Sequence, residues 1–334
     1  MVPQTLSLAA DLYGCPNRCL HCWLGHRPNR RMEEDADRFI VDCFAPHFER
    51  IAFYSWFREP DFCDGYEERW ERDIALSKNA RPERFELASF WRIVRDERYI
   101  PFLRRVGVRK VQLTLFGLRK TQDRYVGRKG AFDEVLRATD LLAVGGITPR
   151  WQCFINEENR AEIPEVRRLW LERKEKYPEM EFFVHEGSCE GENRRLYPIR
   201  IRKEHIPEEL IPDYLGYGSL LTERECCALL REDRSAPSFP VGDELVLNVT
   251  AGYDVFTNLT EMSGPWVVGN LKRDDPAEIV RRAVTGDTPA LRALARHSWA
   301  ELADRLGDSA SGRAFSLNDY RMYLVNEFFE RFPS

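Results

Sequence analysis

Short β-branched or aromatic runs alternate with helical patterns along the first two hundred residues. The runs at Thr5 to Ala10, Arg50 to Ser55, Phe85 to Phe90, Lys110 to Phe116, Arg150 to Ile155 and Glu181 to His185 predict strands. Between them, Phe39, Ile40, Cys43 and Phe44 fall on one helical stripe, which makes Cys43 a core thiol. Asp133 to Val144 behaves in the same way and stops at Gly145-Gly146. Strand and helix in alternation predict an α/β fold, a partial (βα)6 TIM-like barrel of parallel strands over residues 4–205.

Past Leu210 the pattern changes, and Pro, Gly and Ser punctuate Tyr214 to Gly242. A helix is predicted over Thr222 to Arg231. Leu245 to Val249 and Tyr253 to Phe256, joined by Thr250-Ala251-Gly252, predict a hairpin. Asp275-Pro276, Thr288-Pro289 and Ser316 with Asp319 are helix starts, and the last helix places Leu317, Tyr320, Leu324 and Phe328 on one face. The expected division is a core over residues 1–210 and a smaller α+β extension over 211–334.

A net charge of −5 lacks the basic excess that displaces counterions from phosphates, which argues against nucleic acid. No apolar run approaches the roughly 20 residues that span a bilayer, and the opening stretch lacks the features of a signal peptide, so a cytoplasmic protein with no membrane partner is expected. Nine scattered cysteines do not form the dense, even framework of a secreted disulfide scaffold. Three of them lie close together.

Cys15, Cys19 and Cys22 have the spacing C-x3-C-x2-C directly after the first predicted strand. Three thiolates on one tight loop can hold three corners of a [4Fe-4S] cluster and leave the fourth iron open. Structural zinc is the alternative. It wants a fourth ligand, for which His21 and His26 are near.

This spacing and position resemble the radical S-adenosylmethionine (radical SAM) superfamily. In that family Gly-Gly-Glu-Pro after the second strand receives the methionyl amine; here Phe57-Arg58-Glu59-Pro60 keeps Glu-Pro and lacks both glycines. The resemblance implies that Glu59 meets the ammonium, that Ser89, or else Glu86, on the third strand meets the ribose, and that Arg128 meets the cofactor carboxylate. It also puts Asn156 at the end of the fifth strand and His21 beside the adenine. Leu113 to Gly117, Gln122 to Tyr125 and Arg128 to Phe132 resemble the string found in members with a SPASM or twitch extension. Residues 247–258, then Val268-Gly269-Asn270-Leu271, resemble that extension's hairpin and sequel, with Thr250 and Thr257 where cysteines are usual and no cysteine after Cys227. A SPASM-like scaffold without its own cluster is implied.

The resemblance implies an enzyme with one [4Fe-4S] cluster that cleaves S-adenosylmethionine reductively and abstracts hydrogen from a C–H bond. Its electron donor would be a flavodoxin or ferredoxin. Only fourteen residues precede Cys15, so no N-terminal peptide-recognition domain is expected. The substrate is therefore expected to be a small polar metabolite or natural-product intermediate, with a ribosomally made precursor peptide as the alternative. A non-catalytic zinc or Fe-S module is the rival class. At the end of the sixth predicted strand, His185, Glu186 and Glu190 offer acid, base and hydrogen-bonding groups. Cys189 is a candidate hydrogen donor to a substrate radical, as in radical SAM epimerases; otherwise it is a small buried residue. Epimerisation, dehydrogenation and elimination all remain open as outcomes.

Overall fold

A computed structural model describes residues 3–332 apart from 23, 26, 85, 240, 258–261 and 263. The chain begins β1 (Thr5–Ala10), α1 (Ala36–Phe44), β2 (Arg50–Tyr54), α2 (Tyr66–Leu76), α3 (Phe90–Ile93) and α4 (Tyr99–Arg105). It continues through β3 (Lys110–Leu115), α5 (Arg119–Val126), α6 (Ala131–Val144), β4 (Thr148–Phe154), α7 (Ile163–Lys176) and β5 (Glu181–His185). After several 3-10 turns come β6 (Leu221–Thr222), α8 (Glu223–Arg231), β7 (Glu244–Val249), β8 (Asp254–Thr257) and β9 (Gly269–Asn270). The last elements are α9 (Pro276–Thr285), α10 (Pro289–Leu294), α11 (Trp299–Leu306), β10 (Ala314–Phe315) and α12 (Leu317–Arg331). Contacts group them into two compact units: Met1–Pro16, Arg27–Glu83 and Arg234–Ser298 in one, Asn17–His26, Arg84–Asp233 and Trp299–Ser334 in the other.

In the first unit a five-stranded sheet has the order β2-β1-β7-β8-β9. β1 is parallel to both neighbours, with Leu8 opposite Phe53 on one side and Leu247 on the other. Leu6, Leu8 and Ala10 are fully buried against Ile40 and Phe44 of α1 and Ile279 of α9, each leucine contributing about 1.5–3 kcal/mol through burial. Phe39 and Cys43 pack on the rim of that core. The expected hairpin forms between β7 and β8. Because β7 pairs with β1, the hairpin continues the first unit's sheet, and the compact units do not divide at residue 210.

In the second unit β3, β4 and β5 are parallel. Val111, Leu113, Trp151, Cys153 and Val184 are buried on one face. Helix α6 packs behind β3 and β4, and Trp151 Nε1 donates to Thr139 Oγ1 of α6 at 2.8 Å. The opposite face, with Gln112, Gln152, Phe154, Phe183 and His185, is only half-buried. All three strands end at one edge, where such sheets collect functional groups.

The strand expected over 85–90 does not form. Phe85 lies outside the described residues, Glu86 keeps one ladder contact by accepting from Gln112 N at 2.7 Å, and Ser89 ends the run by capping α3. The described residues therefore hold five of the six expected parallel strands. Helix α12 also departs from expectation: Tyr320, Leu324 and Phe328 are buried, but so are Met322, Tyr323 and Val325, so it is enclosed on more than one stripe. Thr222 with Glu225 builds a capping box for α8, and Asp275 with Pro276 starts α9 as the sequence implied. Among the described residues no helix is long and apolar enough to cross a membrane.

Candidate active site

After β1 the first unit carries Cys15 on a turn through Gly14. Gly14 has φ +96, and a Cβ there would stand 2.2 Å from Asn29 Oδ1, so glycine is required. Asn29 Oδ1 accepts from Cys15 N at 3.0 Å, and Asn29 Nδ2 donates to Cys15 O at 2.9 Å. Glu59, from the loop after β2, brings Oε2 to 4.0 Å from Cys15 Sγ. Its neighbour Arg58 pairs with Asp11 at 2.6 Å with both side chains nearly dry, and donates to Arg27 O at 3.0 Å. Arg58 thus braces the cysteine turn. The stretch after the triad supplies Asn29 and the Arg27 carbonyl to this arrangement; His26 lies outside the described residues.

The second unit carries Cys19 and Cys22. Arg18 N donates to Val126 O at 3.0 Å and Leu20 N to Tyr125 O at 2.7 Å, so this half of the loop docks on the end of α5. Gly127 ends α5 at φ +71, where a Cβ would come 2.8 Å from Arg18 O. Arg195 Nη2 donates to Leu20 O at 2.8 Å, and Cys22 N donates to Cys19 O at 3.2 Å. The His21 ring packs on Phe116 at 4.3 Å and on Phe154 at 5.1 Å. Burial first, then the charges of His185 and Arg195, lower His21 to about 3, so its ring is neutral. Its Nδ1 is buried without a hydrogen-bond partner.

Within the second unit a cavity is lined by His21, Phe116, Phe154, Asn156, Cys189 and Asn193, among others. Asn193 is 6% exposed, and its Oδ1 has no hydrogen-bond partner. Cys189 is 1% exposed, and burial pushes its thiol up to about 12, so it stays S–H at neutral pH. Its sulfur accepts from Arg200 Nη1 at 3.0 Å, and its N–H donates to Asp319 Oδ1 at 2.7 Å. Arg200 is buried, ion-paired to Asp319, 3.7 Å from Glu186 and 3.8 Å above the Phe315 ring. Glu186 Oε2 accepts from Tyr214 OH at 3.0 Å, and burial raises the Glu186 carboxyl. Burial likewise raises Glu190, helped by the Asp319 charge.

His185 Nδ1 accepts from Gly187 N at 3.1 Å. Its Nε2 lies 2.5 Å from Gln152 Nε2. Burial first, then Arg200, lowers His185 to about 4. It is a neutral hydrogen-bonding group at pH 7.

The other expected residues are placed as follows. Ser89, expected on a strand end facing the ribose, is fully buried and accepts from Arg92 N as a helix cap. Glu86 is ion-paired to Arg150. Arg128 is held by Glu134 at 2.5 Å and by Asn17 Oδ1 at 3.1 Å, leaving Nη2 without a hydrogen-bond partner. Asn156 donates to Tyr125 OH at 2.9 Å and accepts from Glu158 N at 2.9 Å. Cys226 and Cys227 are fully buried, with Cys227 Sγ 3.0 Å from Tyr320 OH. The sequence reading missed Asn29, Arg195, Arg200 and Asp319. Only Asn29, a turn former after Pro28, carried a local signal.

Comparison with known proteins places this geometry. No protein-family model matches the chain. The structure of anSMEcpe with bound S-adenosylmethionine and the Kp18Cys peptide aligns over 98% of both chains at TM-score 0.53 and 13% identity. The structure of anSMEcpe with S-adenosylmethionine alone aligns over 98% of both at 0.52 and 14%. The chain has the radical SAM fold. In sequence it is 26% identical over 166 residues to Fe-coproporphyrin III synthase of Methanosarcina barkeri, a stretch covering 48% of this chain and 39% of that protein. The parallel strands of this chain lie in both units, and the β7–β8 hairpin follows them, with no cysteine in the sequence after Cys227.

The donor set fits an iron-sulfur cluster by its chemistry. Cys15, Cys19 and Cys22 are partly exposed and outside any disulfide, and soft thiolates suit iron-sulfur centres. Among the described residues no group of three or more His, Cys, Asp or Glu is arranged to hold a metal ion. Of the two histidines near enough to complete a closed zinc site, His21 packs on the Phe116 and Phe154 rings, and His26 lies outside the described residues.

Proposed function

We propose that this chain is a radical SAM enzyme that abstracts hydrogen from a C–H bond of a small polar substrate, using one [4Fe-4S] cluster on Cys15, Cys19 and Cys22. The observation that carries the proposal is the carboxylate of Glu59 4.0 Å from the Cys15 thiol, which would put an acceptor for the methionyl ammonium next to a cluster ligand. When bound, the cluster and S-adenosylmethionine supply one-electron cleavage of the sulfonium and hydrogen abstraction from an unactivated C–H bond. Glu59 would accept from the methionyl ammonium. Arg128 would offer its unpartnered Nη2 to the carboxylate, and neutral His21, with Phe116 and Phe154, would wall the adenine, with Asn156 at the cavity's edge.

In the same proposal Cys189 gives hydrogen to the substrate radical, a role that needs S–H and not thiolate. The thiol raised to about 12 supports that role. Glu186 and His185 would bind polar groups of the substrate. The division into a core over 1–210 and an extension over 211–334 belongs to this proposal, with β7 adding the extension to the core sheet. A precursor peptide is the second reading, favoured by the peptide bound in the anSMEcpe structure. A flavodoxin or ferredoxin would be the electron donor.

The test is anaerobic reconstitution with iron and sulfide, followed by assay for 5′-deoxyadenosine with candidate metabolites and peptides in deuterated water. A brown protein that forms 5′-deoxyadenosine supports the proposal. A colourless chain that retains only zinc overturns it.

A further inference from the structure

We propose that Asn29 is a positioning residue for the first cluster ligand, a two-point clamp that sets the main chain of Cys15 before iron binds. The inference rests on the cluster-binding reading above. Asn29 accepts from Cys15 N at 3.0 Å and donates to Cys15 O at 2.9 Å, so one side-chain amide satisfies both main-chain groups of a single residue. This copies the pairing that a neighbouring strand gives a hydrogen-bonded residue. Asn29 is exposed, and in a merely solvated loop water would serve both groups equally well.

The residue before the ligand makes room for those bonds. Gly14, just before the ligand, lacks a side chain where Asn29 and Arg58 close in: a Cβ would stand 2.2 Å from Asn29 Oδ1 and 3.0 Å from Arg58 Nη2. Arg58 is anchored by Asp11 at 2.6 Å and holds Arg27 O at 3.0 Å, two residues before Asn29. The chain beyond the cysteine triad is thereby folded back onto the triad's first member. A ligand ordered in advance removes its ordering entropy from the metal-binding step. Residues that orient a metal ligand without touching the metal typically cost about 10–100-fold in affinity when removed.

The experiment uses the full chain with N29A, N29D and, as a control on an exposed neighbour, R30A. Each is reconstituted anaerobically with ferrous iron and sulfide. Iron release to a chelator and the electron paramagnetic resonance of the reduced cluster are recorded, together with amide exchange of the Cys15 segment and the melting temperature of the iron-free chains. For N29A we expect iron release at least about tenfold faster, lost protection of the Cys15 amide, a shifted resonance and an unchanged melting temperature. N29D still accepts from Cys15 N but cannot donate to Cys15 O, and should fall between N29A and wild type; R30A should match wild type. Wild-type release, exchange and resonance in N29A overturn the inference alone. If N29A does not fold, N29D decides, and wild-type release by N29D overturns it. A wild-type chain that takes up no iron overturns the function proposed above and this inference with it.

Discussion

Replacing Arg200 with Met tests whether one buried guanidinium fastens the candidate hydrogen donor. The substitution keeps the bulk against Phe315 and removes the charge paired with Asp319, whose side chain is only 12% exposed. It also removes the bonds to Ala314 O at 2.5 Å, Gly187 O at 3.1 Å and Cys189 Sγ at 3.0 Å. Breaking one side of a buried pair leaves an uncompensated charge and costs about 3–5 kcal/mol. With a urea slope near 3 kcal/mol/M, the unfolding midpoint should fall by about 1–1.7 M. Adding Asp319→Asn removes the stranded carboxylate and should recover at least about 1 kcal/mol. The loosened loop should also expose Cys189. In wild type its thiol near 12 leaves about one thiolate in ten thousand at pH 8, so alkylation is slow until the loop opens. A loss below about 1 kcal/mol, or no recovery in the double variant, would refute the reasoning.

Reconstituted wild type should hold about four irons and four sulfides per chain, and Cys15, Cys19 and Cys22→Ala variants should lose them; specific binding of about eight irons would mean a second cluster. Glu59→Gln should weaken S-adenosylmethionine binding, read by calorimetry, while the cluster absorbance stays intact; unchanged affinity would move the amine site elsewhere. His185 titrates near 4 when folded and near 6.5 when unfolded, so only the unfolded chain gains this proton between those values. The His185 contribution is therefore full above pH 6.5 and is lost as the pH falls towards 4, by at most about 3 kcal/mol. Urea titrations of wild type and His185→Gln check this, and equal pH slopes would remove His185 from the effect. Cys189→Ala should still form 5′-deoxyadenosine with substrate present yet fail to give an epimerised product; full product formation would shift weight to dehydrogenation or elimination.

Local chemistry was legible in the sequence wherever neighbours along the chain decide the structure. The runs at Thr5–Ala10 and Glu181–His185 became strands with those bounds, and the helix starts at Thr222, Asp275, Thr288 and Ser316 are caps whose partners lie two or three residues on. The cysteine triad stands out in the sequence because its spacing alone confines three thiols to one short loop. The 85–90 run misled because strand propensity is a preference for a half-buried surface and not a backbone rule; there a serine hydroxyl caps a helix turn instead. Tertiary structure alone decided the rest. β7 joins β1 across more than two hundred residues of chain, and Arg200 meets Asp319 119 residues away. No local pattern encodes such pairings. They follow from which surfaces remain to be buried, and which charges remain to be paired, once the local elements have formed.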